Sequence, residues 1–188
     1  MNAANPVILE RGLSRPPKEA EPQLRGDSVG SDRYTCPDYL RREYQNVWHT
    51  VWNIGGVAYQ ISEPGDYLTA ELGIDSIIMV RQEDGSAKAF FNSCPHRGTR
   101  ITEAEDGHVQ EFSCPYHGWT FDRAGVVTSV PDEEDFTERP CGRARLKEMR
   151  CEERFGLIWY NFDPDAPTLD ASLGERICRE LESHRIEE

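Results

Sequence analysis

No apolar run in this chain approaches the roughly 18 residues that a membrane-crossing helix requires. The opening MNAANPVILERGLSRPPKEAEPQ has neither a basic n-region nor the sustained apolar stretch of a secretory signal. These absences predict a cytoplasmic protein with no membrane partner. Positive charge is also scarce: 21 Lys and Arg stand against 34 Asp and Glu, a net charge of −13. Such a surface repels a phosphate backbone, which excludes nucleic acid and leaves basic or neutral proteins as partners. There is no internal repeat and no low-complexity tract. The 6 cysteines (Cys36, Cys94, Cys114, Cys141, Cys151, Cys178) are too scattered, in a chain of 188 residues, for a small disulfide scaffold. The length suits one domain with a substantial core rather than two. In a reducing compartment a cysteine close to a histidine points to a metal site before a disulfide.

What is present divides the chain into three parts. Residues 1–32, rich in Pro, Glu, Arg, Gly and Ser without lasting apolar periodicity, predict a disordered arm. Residues 33–165 carry the main domain. It starts with an amphipathic helix on which Leu40, Tyr44, Val47, Trp48, Val51 and Trp52 recur at the helical period, behind a capping box of Thr35 and Asp38 around Pro37. After Gly55-Gly56 come short strand-like runs: VAYQIS, DYLTAEL, SIIMVRQ, AKAFFN, VQEFSC, WTFD, VVTSV, ARLKEMRCEE and GLIWYNF. Residues 83–86 and 122–125 have hairpin-loop chemistry. Residues 166–188 predict a helix, capped by Thr168 or Asp170, with nothing after it to pack against. The fold expected is mainly β, an antiparallel sandwich or barrel between an N-terminal and a C-terminal helix.

The chemistry sits in two motifs. CPHRG at 94–98 and CPYHGW at 114–119 each supply one thiolate and one imidazole, in the order Cys94, one residue, His96, seventeen residues, Cys114, two residues, His117. Two such loops, joined by enough chain for a pair of strands, make a two-pronged clamp. Two cysteines and two histidines suit a Rieske-type 2Fe-2S cluster, with thiolates on one iron and imidazoles on the other. Exchanging two anionic ligands for neutral ones reduces the cluster's negative charge, so an added electron is better tolerated. Pro95 and Pro115 stiffen the loops, and Gly98 and Gly118 let the backbone come close to the sulfides. Arg97, Tyr116 and Trp119 complete the surroundings, Arg97 and Trp119 as supporting or docking residues.

These two motifs, with YLRREYQNVWHTVWNIGG before them and FGLIWYNFDPDAP after them, resemble the N-terminal Rieske domain of the large (α) subunit of ring-hydroxylating, non-haem iron oxygenases. The resemblance runs from about Tyr34 to the end. It implies the Rieske fold, with a two-loop cluster-binding subdomain on the β domain. Respiratory and photosynthetic Rieske proteins carry an extra loop cysteine in each motif; Thr99 and Tyr116 stand there instead, which implies the oxygenase type. It further implies an NAD(P)H-dependent flavoprotein reductase, with or without a ferredoxin, as electron donor. The implied acceptor is a mononuclear iron in an oxygenase catalytic domain or neighbouring α subunit. Carried over by position, Cys94 and Cys114 bind the buried iron, His96 and His117 the outer one, and His117 is the exit. The mononuclear iron needs two histidines and a carboxylate, yet only His184 follows His117, so this chain alone is not expected to hydroxylate substrate.

Other readings compete. A free-standing Rieske ferredoxin would use the same clamp, and a zinc-binding interaction module would place the four side chains around one tetrahedral ion. His49 and His108 lack a partner at ligand spacing and are read as satisfied surface or core histidines. Cys36, Cys141, Cys151 and Cys178 are read as plain thiols. The acidic run DEEDFTE at 132–138 is read as a solvated loop, with docking of a basic reductase surface as the alternative.

Overall fold

The computed structural model describes residues 30–184 and 186; the N-terminal arm predicted for 1–32 falls almost wholly outside them. The predicted N-terminal helix is present in pieces. A short α1 (Asp32–Thr35) and α2 (Pro37–Glu43) are separated at Cys36, whose φ of −87° and ψ of 120° are extended. The cause is Pro37: its ring excludes the helical conformation for the residue before it, while its missing N–H suits a first helical position. The expected capping box is therefore not formed, and Thr35 Oγ1 donates to the Ser31 carbonyl instead, at 3.1 Å. The helix then widens into a π turn at Tyr44–Trp48. Its apolar residues Leu40, Val47, Trp48 and Val51 are exposed, and only Trp52 of the predicted stripe is buried.

Among the described residues ten strands follow: β1 (Asn53–Val57), β2 (Asp66–Leu72), β3 (Asp75–Arg81), β4 (Ala87–Phe91), β5 (Asp106–His108), β6 (Phe112–Ser113), β7 (Thr120–Phe121), β8 (Val127–Ser129), β9 (Glu148–Arg154) and β10 (Leu157–Asn161). Seven form a curled antiparallel sheet in the order β1-β10-β9-β4-β3-β2-β5, and β6-β7-β8 form a small second sheet. Two predicted strands need correction. VAYQIS turns as a 3-10 helix after Val57, and the strand lies earlier, across the glycines taken as a break. Of VQEFSC only Phe112–Ser113 is strand, as β6, and its first three residues link β6 to the end of β5 at His108.

The glycines are inside β1 because the sheet curls on itself there. A Cβ on Gly55 would stand 2.1 Å from Met79 Sδ and 3.2 Å from the Tyr160 ring. Gly55→Ala is accordingly expected to destabilise the fold by about 1–3 kcal/mol, the usual range for overpacking. Urea melts would check this, and an unchanged midpoint would mean that β1 can move away from the sheet.

The run SIIMVR reads as uninterrupted apolar sequence because β3 is buried on both faces. Ile78 and Val80 join Tyr67, Phe90, Cys94, Cys114, Trp119 and Phe121 in one core, between the large and small sheets. Ile77 and Met79 point the other way, into the curl, with Ile61, Leu68, Ala89 and Ile158. Period-two alternation along one strand thus serves two cores. The C-terminal α3 (Leu169–Ser183) starts at Thr168, whose hydroxyl accepts from the Ala171 amide at 3.4 Å. It packs against residues that precede it: Leu169 is fully buried with Trp52, Leu157 and Trp159, flanked by Leu173 and Leu181. Among the described residues no helix is long and apolar enough to cross a membrane.

Candidate metal centre

The two motifs fold into one local structure built twice. In the loop after β4, the Cys94 amide donates to the Thr99 carbonyl at 2.8 Å and the Gly98 amide to the Cys94 carbonyl at 2.8 Å. In the β6–β7 loop, the Cys114 amide donates to the Trp119 carbonyl at 2.8 Å and the Gly118 amide to the Cys114 carbonyl at 3.0 Å. Closing so tight a turn takes a left-handed residue, and Gly98 (φ 73°) and Gly118 (φ 69°) supply it. One difference remains between the loops: the histidine comes two residues after Cys94 but three after Cys114.

Both cysteines are buried, at 2% and 3% exposure, and their thiols lie against each other. The two imidazoles form a second pair, with ring centres 4.7 Å apart. Among the described residues no three His, Cys, Asp or Glu side chains converge on one point. A pair of thiols and a pair of imidazoles would give each of two metals two protein ligands, the donor set of a Rieske cluster. The His96 ring is stacked on Trp119, with centres 5.0 Å apart and planes within 7°. His117 is half-buried under the exposed Tyr116 ring, at 3.8 Å.

Burial, and then the neighbouring Cys114 thiol, push the Cys94 thiol above its ordinary range; the backbone amides of His96 and Arg97, directed at its sulfur, pull the other way. Burial lowers the His96 imidazole, helped by His117 and the Arg97 charge, so its neutral, metal-binding form is favoured. Its Nδ1 is fully buried and has no hydrogen-bond partner. Leaving such an atom unpaired costs about 1–3 kcal/mol, a cost that disappears when a metal takes the lone pair. The donor set and this orphaned nitrogen fit the cofactor that the motifs imply.

Gly98, Gly118 and Trp119 are built into this centre, and Tyr116 lies over His117. Arg97 contributes its amide, while its side chain is exposed. Two further residues were missed. Asn92, buried at the end of β4, donates from Nδ2 to the Thr102 carbonyl and Ser76 Oγ, and accepts at Oδ1 from the amides of Ile101 and Thr102. It thereby ties together the two ends of the Cys94 loop; its place two residues before the cysteine was the available signal. Phe136 was hidden in DEEDFTE. This run is not merely a solvated loop, since Phe136 packs into the cluster-side core and against Trp119 and His96. A lone aromatic among acids was the clue.

The remaining candidates lie elsewhere. His49 Nε2 pairs with Asp75 at 2.9 Å and His108 Nδ1 with Asp66 at 2.9 Å. None of the six cysteines is in a disulfide, and burial pushes Cys151 up to about 12.

Comparison with known proteins agrees with the geometry. Residues 51–148 match the Rieske [2Fe-2S] domain, a span that contains both motifs. The α subunit of chlorobenzene dioxygenase from Cupriavidus sp. (strain PS12) is 43% identical over 180 residues, covering 91% of this chain and 38% of that protein. The α subunit of biphenyl 2,3-dioxygenase from Rhodococcus jostii (strain RHA1) is 38% identical over 146 residues, covering 76% and 31%. This chain thus spans about a third of the length of these relatives. Among solved structures, naphthalene 1,2-dioxygenase from Rhodococcus sp. superposes with a TM-score of 0.72 at 30% identity, over 78% of this chain and 34% of that one. A quaternary ammonium Rieske monooxygenase, at 23% identity, shares the fold, with a TM-score of 0.77 over 83% and 44%. Built on the paired cysteine and histidine loops and matched across the domain that carries them, this chain belongs to the Rieske [2Fe-2S] domains of ring-hydroxylating oxygenase α subunits.

Proposed function

We propose that this chain relays electrons one at a time, through a Rieske cluster held by Cys94, His96, Cys114 and His117, to the mononuclear iron of an aromatic-ring-hydroxylating oxygenase. The observation that carries the reading is the buried, unpartnered Nδ1 of His96, in a ring already stacked on Trp119 and paired with His117. When bound, such a cluster accepts and returns a single electron at about −150 to +300 mV, well above the roughly −400 mV of plant-type four-cysteine clusters.

The chain's own residues do the rest. Cys94 and Cys114 form the dry end, where core packing keeps water off the sulfurs and two backbone amides support the charge on Cys94. His96 and His117 form the outer end, and His117, half-exposed under Tyr116, offers the shorter route to a docked protein. The electron donor in this reading is an NAD(P)H-dependent flavoprotein reductase, directly or through a ferredoxin. The acceptor is an oxygenase catalytic domain or a neighbouring α subunit; the oxygenase subunits among the relatives support this assignment.

Purified without oxygen, the protein is expected to be red-brown, with about two irons and two acid-labile sulfides per chain. Reduced by one electron, it should give a Rieske-type electron-spin resonance spectrum. A colourless protein with one zinc and no sulfide would overturn the proposal.

A further inference from the structure

The His96 ring raises a question of orientation. Rotation about the bond to an imidazole is soft and roughly two-fold, so the backbone does not decide which ring nitrogen faces inward. Metal-ligating histidines are commonly oriented by a hydrogen bond from the other ring nitrogen. Among the described residues no hydrogen bond holds the His96 ring, and its Nδ1 is unpartnered. Packing alone sets its plane.

That packing has two layers. Trp119, from the opposite loop, covers one face of the imidazole, parallel to within 7°. Phe136 then meets both rings edge-on, at 5.8 Å and 74° to Trp119 and at 6.4 Å and 72° to His96. Its segment is otherwise acidic, with Asp132, Glu133, Glu134, Asp135 and Glu138 around it. The segment is closed without the ring: Glu133 Oε1 accepts from the Cys141 amide at 3.0 Å, and the Gly142 amide donates to the Val127 carbonyl at 2.8 Å. These two hydrogen bonds hold the segment independently of the ring.

We propose that Phe136 is a positioning residue of the metal centre, backing Trp119 so that Trp119 holds the His96 imidazole in its ligating orientation. The inference rests on the assignment of His96 as an iron ligand. With the ring removed, Trp119 can tilt, water reaches the edge of His96, and the imidazole gains a second orientation that does not bind.

The test compares the cluster-loaded chain with Phe136→Ala, Phe136→Leu and Phe136→Tyr, and with Leu157→Ala, which empties a core group touching neither ring. Far below the melting temperature, Phe136→Ala is expected to release iron to a ferrous chelator about 10- to 100-fold faster, with a shifted resonance spectrum and reduction potential. Phe136→Leu, which keeps bulk but no aromatic edge, should move the same way and decides the matter if the alanine variant does not fold. Phe136→Tyr should restore wild-type behaviour, and Leu157→Ala should lose stability without changing the spectrum. Phe136 variants that lose stability but keep the wild-type spectrum and release rate overturn the proposal, as does an equal shift from Leu157→Ala. Failure of the wild-type chain to hold two irons overturns the ligand assignment instead, so the two failures are distinct.

Discussion

Replacing His117 with alanine is expected to abolish the reducible cluster while leaving most of the β structure in place. The imidazole is one of four candidate ligands, and the alanine methyl group has no lone pair to offer. A water in its place would leave the outer metal exposed on the side where Tyr116 now lies over the ring. The fold should survive because two of the three core groups contain no candidate ligand: Ile61, Leu68, Ile77, Met79 and Ile158 fill the curl of the large sheet, and Trp52, Leu157, Trp159 and Leu169 seat α3. Each of these buried aliphatic side chains contributes roughly 1.5–3 kcal/mol independently of metal. Far-UV circular dichroism should therefore change little, while iron and sulfide content and the resonance signal of the reduced protein fall to background. A normal Rieske signal from the variant would show that the ligand set has been misassigned.

Asn92→Ala should cost the fold about 2–4 kcal/mol and loosen the Cys94 loop as well. The side chain is 2% exposed and uses both ends of its amide. Its oxygen accepts from Ile101 at 3.0 Å and Thr102 at 3.1 Å, and its nitrogen donates to Thr102 at 2.8 Å and Ser76 at 3.1 Å. Alanine leaves the Ile101 amide without a partner in the buried interior, at about 1–3 kcal/mol, and the half-buried Thr102 amide and carbonyl with only partial access to water, at less for each. The neighbouring Arg100–Glu71 pair, with two contacts of 3.0 Å, is about half exposed and cannot compensate. Urea melts with and without bound cluster measure the two effects separately. The stability loss should appear in both, and faster iron release only in the loaded protein. A midpoint within experimental error of wild type would mean that the loop ends are held by something other than Asn92.

Legibility in the sequence followed the range of the interactions involved. The strands DYLTAEL, SIIMVRQ and AKAFFN and both hairpin loops could be read because alternation and turn chemistry are local. The break at Cys36 was equally local, since the residue before proline avoids the helix, but the strong aromatic period hid it. The strand across Gly55-Gly56 was not legible. These glycines look like a turn until the sheet curls and brings Met79 to where a side chain of Gly55 would be, and Leu68 to where one of Gly56 would be. The packing of α3 is not legible for a similar reason: its partners Trp52, Leu157 and Trp159 all precede it in the chain and meet it only once the sheet has formed.

The metal centre divides along the same line. Cys94, His96, Cys114 and His117 are proposed as ligands from their spacing and flanks, because a short loop that must present a thiolate and an imidazole together leaves few arrangements of Cys, Pro, His and Gly. Thr99 and Tyr116 were likewise enough to select the oxygenase type. The support around the clamp depended on the folded chain. Only the tertiary structure put the Trp119 ring of one loop on the histidine of the other, brought Phe136 out of an acidic run to their edges, and made Asn92 the tie between the ends of the first loop. Ligand identity is a property of a few consecutive residues, which a sequence displays directly. Ligand orientation is a property of surfaces brought together from distant positions, and exists only once the chain has folded.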